Sequence, residues 1–541
     1  MSTFTVTNTN NSGAGSLRQA VLDANALTGK DIINFSGLFT DGLAHTISLN
    51  GSGLSITDNL TIEGTNPSLL TIKDDSADRV FDIGKGVTAA INGLTINNSY
   101  NGLTGGGGIS NEGVLTLSNS IITGNTVYEN ITDSPEDLLT EGGGIYNTGS
   151  LRVNYSNILA NFCPSGGGGI YNTGTVNVSN STISDNVASL GSSGGGIYNT
   201  GTVNVSNSTI SDNNGTGYGG GIFNGSSDGI LRVNYSTITG NGGNGLDGGG
   251  ICNFGGTVTV SYSTISNNSS SFGGGIGNGG TMTVSNCTIS NNSSSFGGGI
   301  DNDGTMTVSN SKITANFGGG IYNEATMTVG YSTLSDNQAI IGGGILNYGD
   351  LSLSNSAISN NHASEYGGGI YNSFFVYSRM GNQSGIITVS YSSISGNTAL
   401  TAGGGIYNNA DDRGDYSGTV TYDQLGFVTL SNSTISGNQA HFGGGIYNTG
   451  ILTVGNSIIR HNKAFGIELS SGSYESGDGG GIYNSSHGTA TVDYSTIACN
   501  FDTPQEDSSK YIKVDDLVGK FISKGHDNWI GNLSGSTFSY S

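Results

Sequence analysis

The chain has 541 residues, of which 95 are glycine and 10% are charged, and its 39 acidic against 16 basic side chains give a net charge of −23. That surface repels polyanions and excludes nucleic acid as a partner class. No stretch approaches the run of about 18 apolar residues that a membrane-spanning helix needs.

In chain order, residues 2–9 alternate as a first strand. The segment SGAGSLRQAVLDANAL then reads as a short amphipathic helix: Ser16 and Gln19 form a capping box, and Leu17, Val21, Ala24 and Leu27 share one face. Such a helix is expected to cover the open end of the strand-rich region beyond it, so residues 1–44 form an N-terminal cap. Residues 45–100 hold short strands in irregular turns. From 101 to 500 one unit repeats: GGGI followed by N two residues later, an alternating strand, and a closing STISxN. The tetrapeptide occurs fourteen times with a basic spacing of about 24 or 25 residues, the signature of a solenoid. Residues 501–541 change composition, carry the single tryptophan, Trp529, and are read as a C-terminal cap. The first 30 residues lack the basic and continuous apolar regions of a secretory signal, which leaves the expected export route open.

Within each repeat the apolar residues alternate with period two, and no helical period survives. Three short strands separated by Gly, Asn and Ser bends cannot bury their own apolar face; stacked in parallel on equivalent strands of the next repeat, they can. The expectation is an all-β, right-handed parallel β-helix of about 18 turns with a short helical cap. At about 4.8 Å per turn the fourteen regular turns would span on the order of 65–70 Å.

Two columns are invariant. The first asparagine, two residues after the GGGI isoleucine, includes Asn147, Asn172, Asn199, Asn224, Asn323 and Asn372. The second, closing STISxN, includes Asn186, Asn213, Asn292 and Asn337. Both read as structural ladders, each amide donating to one neighbouring turn and accepting from the other. The residue after the GGGI isoleucine is tyrosine in eight turns: Tyr146, Tyr171, Tyr198, Tyr322, Tyr371, Tyr407, Tyr447 and Tyr483. Alternation points this residue outward, making the row a candidate stacking surface for sugar rings or another protein. A mixed column of Asn and Tyr (Tyr155, Tyr235, Tyr262, Tyr331, Tyr391, Tyr494) lies before the STIS segment. Insertions fall at 126–141, 373–386, 409–427 and 463–478 and are candidate contact loops.

Catalytic signals are weak: the acid pairs Asp74–Asp75, Asp411–Asp412 and Asp515–Asp516 lie outside the regular columns, so no catalytic residue is assigned. The cysteines at 163, 252, 287 and 499 occupy four different columns and match no disulfide or zinc spacing, so no metal and no cofactor is expected. GGNGLD at 242–247 fits a calcium-repeat start but occurs once, and the Arg-Gly-Asp at 413–415 is close to chance in so glycine-rich a chain.

GGGIYN followed by STISGNTA (392–399) or STISGNQA (433–440) resembles the paired GGA-I and FxxN repeats of chlamydial polymorphic outer-membrane proteins. More broadly the chain is similar to bacterial right-handed parallel β-helix repeat proteins, whose opening its TFTVTNTNNSGAGSLRQAVLDAN resembles and whose closing segment its GHDNWIGN (525–532) resembles. The resemblance implies a right-handed helix and surface-exposed or secreted roles such as adhesion. One departure is the third glycine of the tetrapeptide, where the family has alanine; a second expected departure is that no C-terminal β-barrel is read in the residues after 500. The expected function is a non-enzymatic secreted or cell-surface protein: an adhesin, a carbohydrate-binding rod or an extracellular structural element. Its expected partner is a polysaccharide or a protein surface, another copy of itself included. The alternative is a polysaccharide-degrading β-helix enzyme, either a lyase, a hydrolase or a tailspike-like protein. Ice or mineral binding by Thr/Ser rows is weakened by the Tyr and Asn that interrupt them.

Overall fold

The computed structural model describes residues 1–74, 78–100, 105–127, 141–189, 191–243, 248–378, 381–410, 425–468, 474–502, 513–514, 516–523, 528–531 and 537–540. Two compact units, Met1–Ser271 and Phe272–Ser541, divide the chain, and each is a right-handed parallel β-helix.

In the first unit, the strand Thr3–Val6 pairs in parallel with Asp31–Phe35, and the helix α1 (Leu17–Asn25) lies between them in sequence and packs on both. The helix begins at Ser16 because its extended backbone frees Oγ to accept the Gln19 amide at 3.2 Å, while Leu17, Ala20, Val21 and Ala24 are buried. The Gln19 side chain turns to Asp23 instead of closing a capping box. Leu27 is not on the buried face: the helix ends at Asn25, and Leu27 beyond it is exposed. Arg18 fastens the helix to the coil by donating to the carbonyls of Leu49 and Gly53 at 3.1 and 3.0 Å.

A typical turn runs Ile170–Asn172, Thr175–Ser179, Thr182–Ser184 and then Val187–Ala188. Each strand pairs in parallel with its copy one turn on, in register: Ile170 with Ile197, Val176 with Val203, Ile183 with Ile210, and Ala188 with Gly215. The fourth ladder is an addition to the three strands expected, and in this turn it is only two residues long. Alternation sends Ile170, Val176, Val178, Ile183 and Ala188 inward, where all are buried, and the intervening Asn, Thr and Ser outward. Stacking thus makes a continuous apolar core from columns that no single turn could cover. The glycine run forms the tight corner: Gly194 has φ +67°, and a Cβ on Gly196 would stand 2.6 Å from the Gly221 carbonyl of the next turn.

The second unit repeats this plan, with Met282, Met306 and Met327 stacked in the valine column. Its fourth face carries the buried alanines Ala363, Ala399 and Ala440. Pairing continues past residue 500: Leu517–Val518 joins Ile482–Asn484, and Lys520–Ser523 joins Thr489–Asp493. Two insertions contain antiparallel hairpins, Phe375–Ser378 with Gly381–Gln383 and Ile467–Glu468 with Tyr474–Glu475. Residues 128–140 and 411–424, which hold most of the other two, lie outside the described residues, as do the Arg-Gly-Asp tripeptide and 244–247 of GGNGLD.

Candidate functional site

Three buried polar ladders fix the corners on which outward side chains stand. In the first, Asn147 Nδ2 donates to Asn172 Oδ1 at 2.7 Å, Asn172 to Asn199 at 2.8 Å and Asn199 to Asn224 at 2.7 Å. In the second unit Asn323 donates to Asn347 at 2.8 Å and Asn372 to Asn408 at 2.9 Å. In the second ladder, both the backbone and the side-chain N–H of Asn186 reach Asn213 Oδ1, at 3.0 and 2.9 Å, and Asn213 repeats this toward Asn241. In the second unit Asn292 and Asn337 stand in the equivalent ladder, donating to Asn316 and Asn361 at 3.1 and 2.9 Å. Its final rung is a carboxylate: Asn500 donates both groups to Asp516 Oδ1 at 2.9 Å, which places one member of the Asp515–Asp516 pair in the scaffold.

The third ladder, of serine, is one that the sequence pattern does not announce. Ser181 Oγ donates to the Ser179 carbonyl at 2.7 Å and the Ser181 amide donates to Ser208 Oγ at 3.1 Å, a pattern repeated through Ser356 and Ser392 in the second unit. Cys287 takes the serine's place in one turn. Serine is so common in this chain that one fixed column of it is inconspicuous.

Each ladder serine follows the mixed Asn/Tyr column, and that column is left-handed throughout. Asn180 and Asn207 have φ 49° and 47°, and Tyr155, Tyr235, Tyr262, Tyr331, Tyr391 and Tyr494 lie between 45° and 51°. Asparagine enters this region readily, whereas for a bulky aromatic residue it is an outlier. All six tyrosines are exposed, between 52% and 66%. Tyr235 and Tyr262, on adjacent turns, stack at 4.9 Å with their planes 12° apart.

The tyrosine row after GGGI is not the exposed surface that alternation suggests. Tyr171 and Tyr322 are buried at 9% and 7%, and Tyr146, Tyr198, Tyr371, Tyr407, Tyr447 and Tyr483 are half-buried. The rings cover one another: Tyr171 and Tyr198 stack at 4.7 Å, and Tyr371, Tyr407, Tyr447 and Tyr483 form a column with steps of 5.2, 5.1 and 5.0 Å. Corner residues add further cover, Tyr366 lying against Tyr407 and Phe442 against Tyr483. Alternation gives the direction of a side chain but not what a corner folds over it.

Two acids meet this row. The Tyr322 hydroxyl donates to Glu324 Oε1, with buried Asp301 in the tyrosine's register position one turn earlier. Burial, with the Glu324 bond second, pushes the Tyr322 phenol well up. Glu141 bonds Tyr171; burial raises its carboxyl above the usual glutamate range, and the phenol's hydrogen bond partly offsets this. Burial likewise raises the Cys163 thiol to about 11, and Cys252 and Cys287 are buried as well. Among the described residues no group of three or more His, Cys, Asp or Glu side chains gathers around a point where a metal could sit. No helix among them is long and apolar enough to cross a membrane.

The Chlamydia polymorphic membrane protein repeat model matches residues 355–373. Among solved structures the chain is similar to the Dettilon tailspike protein, at 13% identity and a TM-score of 0.36 over 69% of this chain and 64% of that one, less than two thirds of its length. It is also similar to the A-module of the Azotobacter vinelandii mannuronan C-5 epimerase AlgE6, at 14% identity and a TM-score of 0.27 over 78% and 90% of the two chains. A third, the PL6 family alginate lyase AlyGC, has 9% identity and a TM-score of 0.26 over 100% and 99%. No curated protein matches.

Proposed function

We propose that this parallel β-helix repeat protein is a non-enzymatic, surface-associated or secreted polysaccharide binder whose contact surface is the left-handed tyrosine column. One observation carries the reading: six tyrosines are held exposed at a corner where asparagine, the other occupant of the column, fits without strain. Stability alone would favour asparagine at every turn. An exposed aromatic face with a polar hydroxyl is what stacks on the apolar face of a sugar ring. The half-buried row after GGGI acts as support, and the acidic surface favours neutral polymers over polyanions.

Incubation of the purified protein with a panel of neutral and acidic polysaccharides, following retention on the polymer and release of reducing ends, tests this. Retention of a neutral polymer without release is the expected result; absence of retention across the panel overturns it.

A second reading, cleavage of the bound polymer, draws on the Tyr322–Glu324 pair with Asp301 on the preceding turn, since carboxyl groups and a phenol can supply acid and base. It predicts release of reducing ends that Glu324→Gln abolishes.

A further inference from the structure

We infer that the tyrosine column contains one built subsite, the slot between Tyr331 and Tyr391, and that it takes a single neutral pyranose ring of a glycan; this rests on the polysaccharide-binding reading above. The two tyrosines are 66% and 64% exposed and stand two turns apart, with Asn355 alone between them in the column. Successive turns are joined there by backbone bonds from the Tyr331 amide to the Ser354 carbonyl and from Asn355 to Ser390, both 3.1 Å. An open groove of about 720 Å³ runs over this stretch and onto the following turn, with Asn355, Asn432 and the hydroxyls of Thr333, Ser393 and Thr434 lining it.

The opening bounds the ligand. Two turns separate the two tyrosine backbones by about 9.6 Å along the column. That span admits one sugar unit, whose apolar face can stack on an exposed tyrosine ring while its hydroxyls meet Asn355 and the Thr and Ser hydroxyls of the groove.

The lining chemistry points the same way. Apart from the tyrosine phenols no lining side chain is ionisable, so nothing in the slot pairs with a uronate, sulfate or ammonium group. Asn355, which is exposed, can offer its amide as both donor and acceptor at mid-height, where ring hydroxyls would lie. The Ser332, Ser356 and Ser392 ladder beneath fixes all three corners, so the walls are set before a ligand arrives.

The column itself supplies the test. Because tyrosine is already accommodated at six positions of this geometry, Asn355→Tyr can fold and would fill the slot with a ring stacked between its neighbours. Titration calorimetry with cellohexaose, maltohexaose and xylohexaose, with hexagalacturonate as the acidic control, is run on the full chain and on Asn355→Tyr, Tyr331→Asn, Tyr391→Asn and Thr259→Ala. The expected result is binding of at least one neutral hexasaccharide by the native chain. That binding should fall about tenfold or more in Asn355→Tyr and in either wall variant, and less than about twofold in Thr259→Ala, an exposed strand position outside the column. Unchanged or tighter binding by Asn355→Tyr overturns the slot while leaving the tyrosine column as the binding surface, since that variant adds an exposed ring. Preference for hexagalacturonate overturns the neutral specificity. Binding by none of the four, together with no retention of any polymer, overturns both readings.

Discussion

Asn213 is placed between two turns, its Oδ1 accepting two N–H groups from Asn186 and its own amide reaching Asn241 Oδ1 and the Ile183 carbonyl at 2.9 Å. Asn213→Ala leaves the Asn186 donors buried and unpaired, so denaturant unfolding should show a loss of about 2–5 kcal/mol. Exposed Asn180, in the left-handed column, should cost far less when changed. Glu141 gives a pH-dependent counterpart. Burial raises its folded-state pKa above the unfolded value. The protonated acid's contribution is therefore complete below the usual glutamate pKa and is lost as pH rises through the folded one. The melting temperature of Glu141→Gln minus that of the native chain should accordingly be constant near pH 4 and increase toward pH 7. A difference that stays flat contradicts the burial of this carboxyl. The invariant asparagines are visible in the sequence because their environment never changes from turn to turn. The shielding of Tyr171 and Tyr407 is not visible, because the groups that cover the row, such as Tyr366 over Tyr407 and Phe442 over Tyr483, come from corners that do not repeat.

At the scale of the strand and its corner, in-register pairing explains why substitution is tolerated in some columns and not in others. Outward positions alternate Asn, Thr and Arg, as at Asn177, Asn204 and Arg232, because solvent is their common neighbour. The third glycine of the tetrapeptide faces the next turn's backbone, so no Cβ fits. Gly196→Ala should lose about 1–3 kcal/mol by thermal or denaturant unfolding. Gly330→Ala is its control: a Cβ there would meet Ser354 Oγ at an ordinary 3.5 Å, and the change should be within about 0.5 kcal/mol of neutral. The three longer strands were legible from alternation. The fourth was not, because two residues such as Val187–Ala188 carry no period. The left-handed corner was legible only as a mixed Asn/Tyr column; that its tyrosines stand clear while the other row is covered depends on the serine ladder and the corner folds together.

For the molecule as a whole, the proposed function divides the work of the repeat between two kinds of residue. Ladders and apolar columns hold each unit together, and on the proposed reading the left-handed tyrosines add affinity at the expense of strain. Each such tyrosine should cost on the order of 1 kcal/mol relative to asparagine. The proposed function and stability would therefore pull this column in opposite directions, which is directly measurable. The decisive comparison is between the native chain and a variant in which Tyr155, Tyr235, Tyr262, Tyr331, Tyr391 and Tyr494 are all asparagine, with melting temperature and polysaccharide retention recorded on the same samples. A melting temperature equal to or above the native value together with lost retention is the predicted result; retention that survives the six changes, or a variant that melts earlier, would contradict the account.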